Sequence, residues 1–213
     1  MNMKLQLFFI GILISIKGFA DGYYPEPIPE DQPWAITASV GPGKFKHLYP
    51  KNSKHTLARL AVNNEMLLTG ELAWGLELGV QNGNTMRLNI PPETLAVLEW
   101  LPVRTALAPM FDLLITAKSD PLAGSSFFAQ LKGGIAYRYW QVENKAIKDF
   151  SQLTGEIQAG FGYPLSTLAS LNLIYQGVFG GDPNLKINIY SKNGAITNIP
   201  TLHALLLGLS VNI

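Results

Sequence analysis

Hydrophobic and polar residues alternate along most of this chain, and the last stretch shows it most clearly. Leu205, Leu207, Leu209, Val211 and Ile213 fall on one face of an extended segment, with Leu206, Gly208, Ser210 and Asn212 on the other. Period-two alternation predicts a β-strand. Leu72, Trp74, Leu76, Leu78 and Val80 repeat the pattern against Glu71, Ala73, Gly75, Glu77 and Gly79. A helix over that segment would scatter its apolar set around the whole circumference. The same reading predicts strands over 34–41, 57–62, 104–118, 127–140, 152–163 and 168–179, making eight in all.

The connections alternate too. Turns are expected at Asn63-Asn64-Glu65, Ser119–Ser125 and Pro164–Thr167, whereas 42–56, 81–103, 141–150 and 180–200 are long. Residues 81–103 are expected to form a loop whose flanks extend the neighbouring strands, and Pro109 to make the start of the fourth strand irregular. An even strand count with short turns on one side and long loops on the other predicts an all-β fold. Its form is a closed antiparallel up-and-down transmembrane β-barrel, with short periplasmic turns and long extracellular loops.

Alternation by itself also fits a soluble barrel of the lipocalin kind, which turns its apolar face inward. Here the bulky residues share one face, while the other mixes charge with Gly75, Gly79, Gly134, Gly160, Gly162 and Gly208. A narrow eight-stranded interior is filled by side chains, so the small and polar face is expected inside and the bulky face towards lipid. Aromatic residues gather near strand ends: Trp74, Phe127, Phe161 and Tyr163 by short turns, Tyr137, Tyr139 and Phe179 by long loops. Two such girdles are a mark of membrane barrels.

Composition narrows the setting. Of 213 residues, 47% are hydrophobic and 15% charged, with 20 Gly, 14 Pro and no Cys. That excludes disulfides and thiolate metal sites. A net charge of +1 gives no reason to expect a nucleic-acid partner. Lys4, the apolar run Leu5–Ile16 and Gly18-Phe19-Ala20 have the form of a secretory signal peptide cleaved near Ala20. Loss of Lys4 and Lys17 leaves 14 basic against 15 acidic residues. The expected organisation is a signal peptide (1–20), a proline-rich lead-in (21–33) and a barrel (34–213).

The final residues also resemble the C-terminal assembly signal of bacterial outer-membrane proteins. Gly208, Val211 and Ile213 match its glycine and its two hydrophobic positions, while Leu206 replaces a usual polar residue and Ile213 a usual aromatic. Over 34–213 the pattern is similar to the eight-stranded opacity-type and OmpA-like surface barrels. That resemblance implies location in the cell outer membrane, contact with outer-membrane lipids and lipopolysaccharide, and recognition by the barrel assembly machinery. It implies no cofactor. The role it implies is non-enzymatic, in envelope integrity or as an adhesin or surface antigen meeting a host-surface ligand through the extracellular loops. A narrow porin or lipocalin-like carrier is the alternative, and an outer-membrane lipid-modifying enzyme a third.

Candidate chemistry is sparse. Arg59, Glu71, Glu77, Asp112, Lys132, Arg138 and Glu156 carry inward parity and are expected to pair inside the lumen, since lone buried charges are too costly. A gate in a narrow ion path is the sharper reading of the same residues. His47, His55 and His203 are too few and too scattered to argue a metal site. Lipid A-modifying barrels use a His and a Ser two apart on a strand, and the residue two after His203 is Leu205. No catalytic residue is expected. Lys44, Lys46, His47, Lys51, Lys54 and His55, with Phe45 and Tyr49 among them, form a basic loop suited to lipopolysaccharide phosphates or an anionic glycan. The plainer reading of that loop is solvation.

Overall fold

A computed structural model describes residues 26–27, 34–46, 48, 53–87, 104–122, 125–143, 147–188 and 193–213. Eight long strands form its wall: β1 (Ala35–Phe45), β2 (Lys54–Thr69), β3 (Leu72–Gln81), β4 (Met110–Ser119), β5 (Phe128–Val142), β6 (Phe150–Pro164), β7 (Ala169–Val178) and β8 (Leu202–Asn212). Each pairs antiparallel with the strand before it and the strand after it. β8 closes the ring on β1, from Leu202 opposite Phe45 to Asn212 opposite Ala35. No barrel strand is left with an open edge, which is how a sheet satisfies its backbone in lipid.

The apolar parity points outward. In β4, Phe111, Leu113 and Ile115 are 56%, 43% and 58% exposed, while Met110, Asp112, Leu114 and Thr116 between them are buried. All eight strands carry such a face, so a continuous apolar band surrounds the barrel. A band of that size has no place on a soluble monomer, and the inward-apolar arrangement of a lipocalin is not what these strands build. Phe127 and Tyr163 pack near the short turns with ring centroids 5.1 Å apart and planes tilted 55°, and Tyr137 and Phe179 are exposed near the long connections.

Several boundaries differ from the sequence expectations. Asn63-Asn64-Glu65 is not a turn: β2 runs on to Thr69, and a register shift between Glu65 and Leu67 absorbs the irregularity. The turn falls at Gly70-Glu71, where Gly70 takes a φ of 60°, a backbone that favours glycine. β1 and β2 extend into the expected loop 42–56 as far as Phe45 and Lys54. The expected fourth strand is two elements. Arg104–Leu107 continues the wall alongside the upper end of β5, with Leu107 opposite Trp140, and pairs on its other side with Asn84–Arg87, while β4 begins beyond Pro109. Glu26–Pro27 of the lead-in pairs with Leu67–Leu68 near the short-turn end.

Candidate functional site

Three layers fill the barrel. At the short-turn end the side chains are polar. Thr37 donates to Ser210 Oγ at 2.9 Å, Gln130 to Asn172 Oδ1 at 3.0 Å, and Lys118 pairs with Glu65 at 2.7 Å. A cleft of about 230 Å³, lined by Lys118, Phe128, Ser170 and Asn212 among others, opens this mouth to solvent.

The middle layer holds the charges. Arg59 grips Asp112 with both arms, Nε donating to Oδ2 at 2.9 Å and Nη2 to Oδ1. Its Nη2 also lies 2.9 Å from Glu77 Oε1, an ion contact, and Glu77 Oε2 accepts from Lys132 Nζ at 2.6 Å. Four charges on β2, β3, β4 and β5 are thus linked, all buried. Gly79 makes room for them, because a Cβ there would land on the Arg59 guanidinium and Asp112. Glu156 takes different partners: its Oε1 accepts from Gln158 at 2.6 Å and Gln176 at 2.7 Å. Neither glutamine stands out in the sequence, since an amide at inward parity is ordinary lumen filling.

Arg138 is fully buried but grips backbone rather than a carboxylate. Nη1 donates to Pro200 O at 2.7 Å, and Nη2 to Phe179 O at 2.7 Å and Ile199 O at 3.3 Å. It therefore ties both ends of the 179–201 connection to the wall. Hydrogen bonds to a charged group contribute roughly 1.5–3 kcal/mol. An Arg138→Met variant is accordingly expected to be cut faster by trypsin at the exposed Lys186, read as loss of full-length protein over time. Unchanged cleavage would show that the connection is held by other contacts.

Glu71 corrects the expected lumen set. It lies exposed in the β2–β3 turn, because β3 begins only at Leu72 and the residue never enters the barrel. The six remaining expected charges are all buried inside, three of each sign.

The third layer departs from the expectation of a small, polar inner face. Phe45, Leu57, Leu107, Met110, Trp140, Ile147, Val178, Ile196, Ile199, Leu202 and Leu206 form one apolar cluster at the long-connection end. The inward residues at these strand ends meet connections that fold back over the mouth, so they need a core rather than water. Residues 147–148, 185–188 and 193–196 of those connections build a small three-stranded sheet above it. Leu206, out of character for an assembly signal, belongs to this cluster. Beside it, Asp149 accepts from the Val142 N–H at 2.9 Å and the Tyr139 hydroxyl at 2.8 Å, and these bonds hold its carboxyl below the usual carboxylate range.

The basic loop is divided. Lys44 stands directly opposite Lys54 on one side and His203 on the other, all with outward parity. Lys46 follows, its backbone N–H donating to Thr201 O at 2.9 Å. His55 has the opposite parity and packs edge-on against Phe45, at 5.7 Å between centroids. His47 and Lys51 lie outside the described residues. Of the expected assembly signal, Gly208 faces inward between Ser39 and Asn172, while Val211 and Ile213 are exposed on the outer face. Among the described residues no group of three His, Cys, Asp or Glu side chains is arranged to hold a metal ion.

No protein-family model matches this sequence, and no curated protein sequence matches it. Solved structures do. The outer membrane protein OprG from Pseudomonas aeruginosa superposes with a TM-score of 0.55 at 12% identity, over 85% of this chain and 97% of that one. A major outer membrane protein from Thermus thermophilus gives 0.51 at 16% identity, over 86% and 100%. At such identities the likeness is one of fold. The chain has the architecture of the eight-stranded outer-membrane β-barrels.

Proposed function

We propose that this protein is a surface protein of the bacterial outer membrane that acts through its long connections and outer face, neither as an open pore nor as an enzyme. The observation that carries the reading is the filled lumen. A connected set of buried charges occupies its middle, and an apolar cluster under folded-back connections closes the end opposite the cleft. Water and ions have no continuous polar path through such a cluster, and buried charges held by partners are costly to displace. In this reading residues 1–20 direct export, Gly208, Val211 and Ile213 are read by the barrel assembly machinery, and the 82–109, 143–149 and 179–201 connections face outside the cell. Adhesion or envelope integrity is the role that a closed barrel with large outer connections serves.

Planar-bilayer recording on the refolded protein tests this. Brief or absent currents are expected, and stable single-channel currents would replace the reading with that of a narrow porin. In parallel, a deletion strain is expected to bind host cells less well or to become detergent-sensitive. A strain unchanged in both would remove adhesion and envelope integrity as roles.

A further inference from the structure

The outer face of β8, β1 and β2 carries a feature that a closed, surface-acting barrel leaves unexplained. His203, Lys44 and Lys54 lie in one row across three neighbouring strands, each directly opposite the next. Directly opposed residues hold their Cβ atoms about 4.5–5.5 Å apart, and like charges so placed repel. Among the described residues, neither Lys44, Lys46 nor Lys54 has an ion-pair partner. Among the described residues, two opposed lysines with a third just beyond them therefore lack a counter-charge.

The row's height on the barrel selects what supplies one. Leu205, the next outward residue below His203, is 49% exposed; Pro42 and Thr56 come next below Lys44 and Lys54, and Val40, one outward position further down β1 and opposite Leu207, is 51% exposed. From Leu205 to His203 is two residues, about 7 Å of strand. The lysines thus stand just above the lipid-facing band, at the depth of lipid headgroups. One side of the row is walled. The Tyr175 hydroxyl bonds His203 Nδ1, the two rings stack at 6.0 Å between centroids, and Gly177 opposite His203 leaves the Tyr175 ring space to lie there. A soluble anion would gain nothing from the apolar surface beneath. An amphiphile would use both, with its phosphate over the lysines and its acyl chains along Val40, Leu205 and Leu207.

We infer that Lys44, Lys46 and Lys54, walled by the His203–Tyr175 pair, form a binding site for a phosphate of the lipopolysaccharide lipid anchor in the outer leaflet. The inference rests on the outward orientation of the long connections proposed above. Lys44 and Lys54 take the phosphate between them, and Lys46 reaches it from the rim. The opposed lysines are then compensated rather than repelled.

The test uses the refolded mature chain in detergent, with native mass spectrometry reading bound lipid. The probes are diphosphorylated lipid A, its dephosphorylated form and phosphatidylglycerol. A K44Q/K46Q/K54Q variant is compared with wild type, and a heat-modifiable gel shift checks that each is folded. Near a membrane surface each lysine contributes roughly a five-fold factor, so the triple variant is expected to bind diphosphorylated lipid A on the order of 100-fold more weakly. Dephosphorylated lipid A is expected to bind wild type as weakly as it binds the variant. Wild-type affinity in the folded variant, equal binding of the dephosphorylated lipid, or full substitution by phosphatidylglycerol would each overturn the site. Failure of the wild-type chain to insert into bilayers is a separate result, and it would overturn the outer-membrane reading along with the site.

Discussion

Replacing Arg59 with leucine is expected to lower the unfolding free energy of the barrel by about 3–5 kcal/mol, the usual cost of removing one partner from a buried ion pair. Arg59 is the centre of the middle layer, with two bonds to Asp112 and an ion contact to Glu77. Without it, Asp112 stays buried with no cation of its own, and Glu77 keeps only Lys132. Most of the penalty comes from those stranded carboxylates rather than from the lost attraction. The double variant R59L/D112L is therefore expected to recover most of the loss, since apolar residues replacing a whole buried pair are often neutral or stabilising. Urea titration in lipid vesicles, read by the heat-modifiable gel shift, measures both. A loss below about 1 kcal/mol in R59L would mean that the pair behaves as a solvated surface one, and the lumen would then have to be water-filled.

Trp140→Ala is expected to act on the other closure with comparable force, about 3–5 kcal/mol for a large aromatic removed from a core. Trp140 is fully buried and sits in register with Leu107 of the Arg104–Leu107 strand and Phe150 at the start of β6. Its indole N–H has no partner among the described residues, so its contribution is packing rather than hydrogen bonding. The cavity left by alanine lies in the cluster that holds Leu107 of the 82–109 connection and Ile147 of the 143–149 connection. Faster proteolysis of both is expected, together with a lower unfolding midpoint, and Trp140→Phe is expected to keep most of the stability. If alanine left the midpoint and the proteolysis unchanged, the apolar cluster would not be what holds these connections down. R59L and W140A also separate the two layers. The first leaves the outer connections packed, whereas the second loosens them while the charges stay paired.

Where the sequence misleads, it does so for a consistent reason. Glu71 shares a parity with Glu77, and parity is the only local guide to which charges enter the lumen. Burial also depends on where the strand starts, and that is decided by how far β2 runs past Asn63 before Gly70 turns the chain. Phe45, Leu57 and Leu202 have inward parity too, but the alternation pattern has no place for an apolar residue inside a barrel whose outer face is apolar. Their partners, Ile147, Ile196 and Ile199, lie in connections without periodicity. The lysine row is half visible in the sequence as a basic loop. His203 is far away in the chain, and His55, beside Lys54, turns the other way.

The division between sequence and tertiary structure follows from the range of the interactions. Strand type, strand number, the outward apolar face and the ring of eight depend on period-two alternation and turn residues, which act over a few positions and can be read locally. The partners inside the ring cannot be read that way. Arg59 and Asp112 are 53 residues apart, Glu77 and Lys132 are 55 apart, and Lys44 and His203 lie on the strands that close the barrel. Strand stagger decides which inward residues share a level. Stagger is a property of the closed ring, so only the tertiary structure could decide which charges meet, which mouth carries the apolar cluster and which lysines stand side by side.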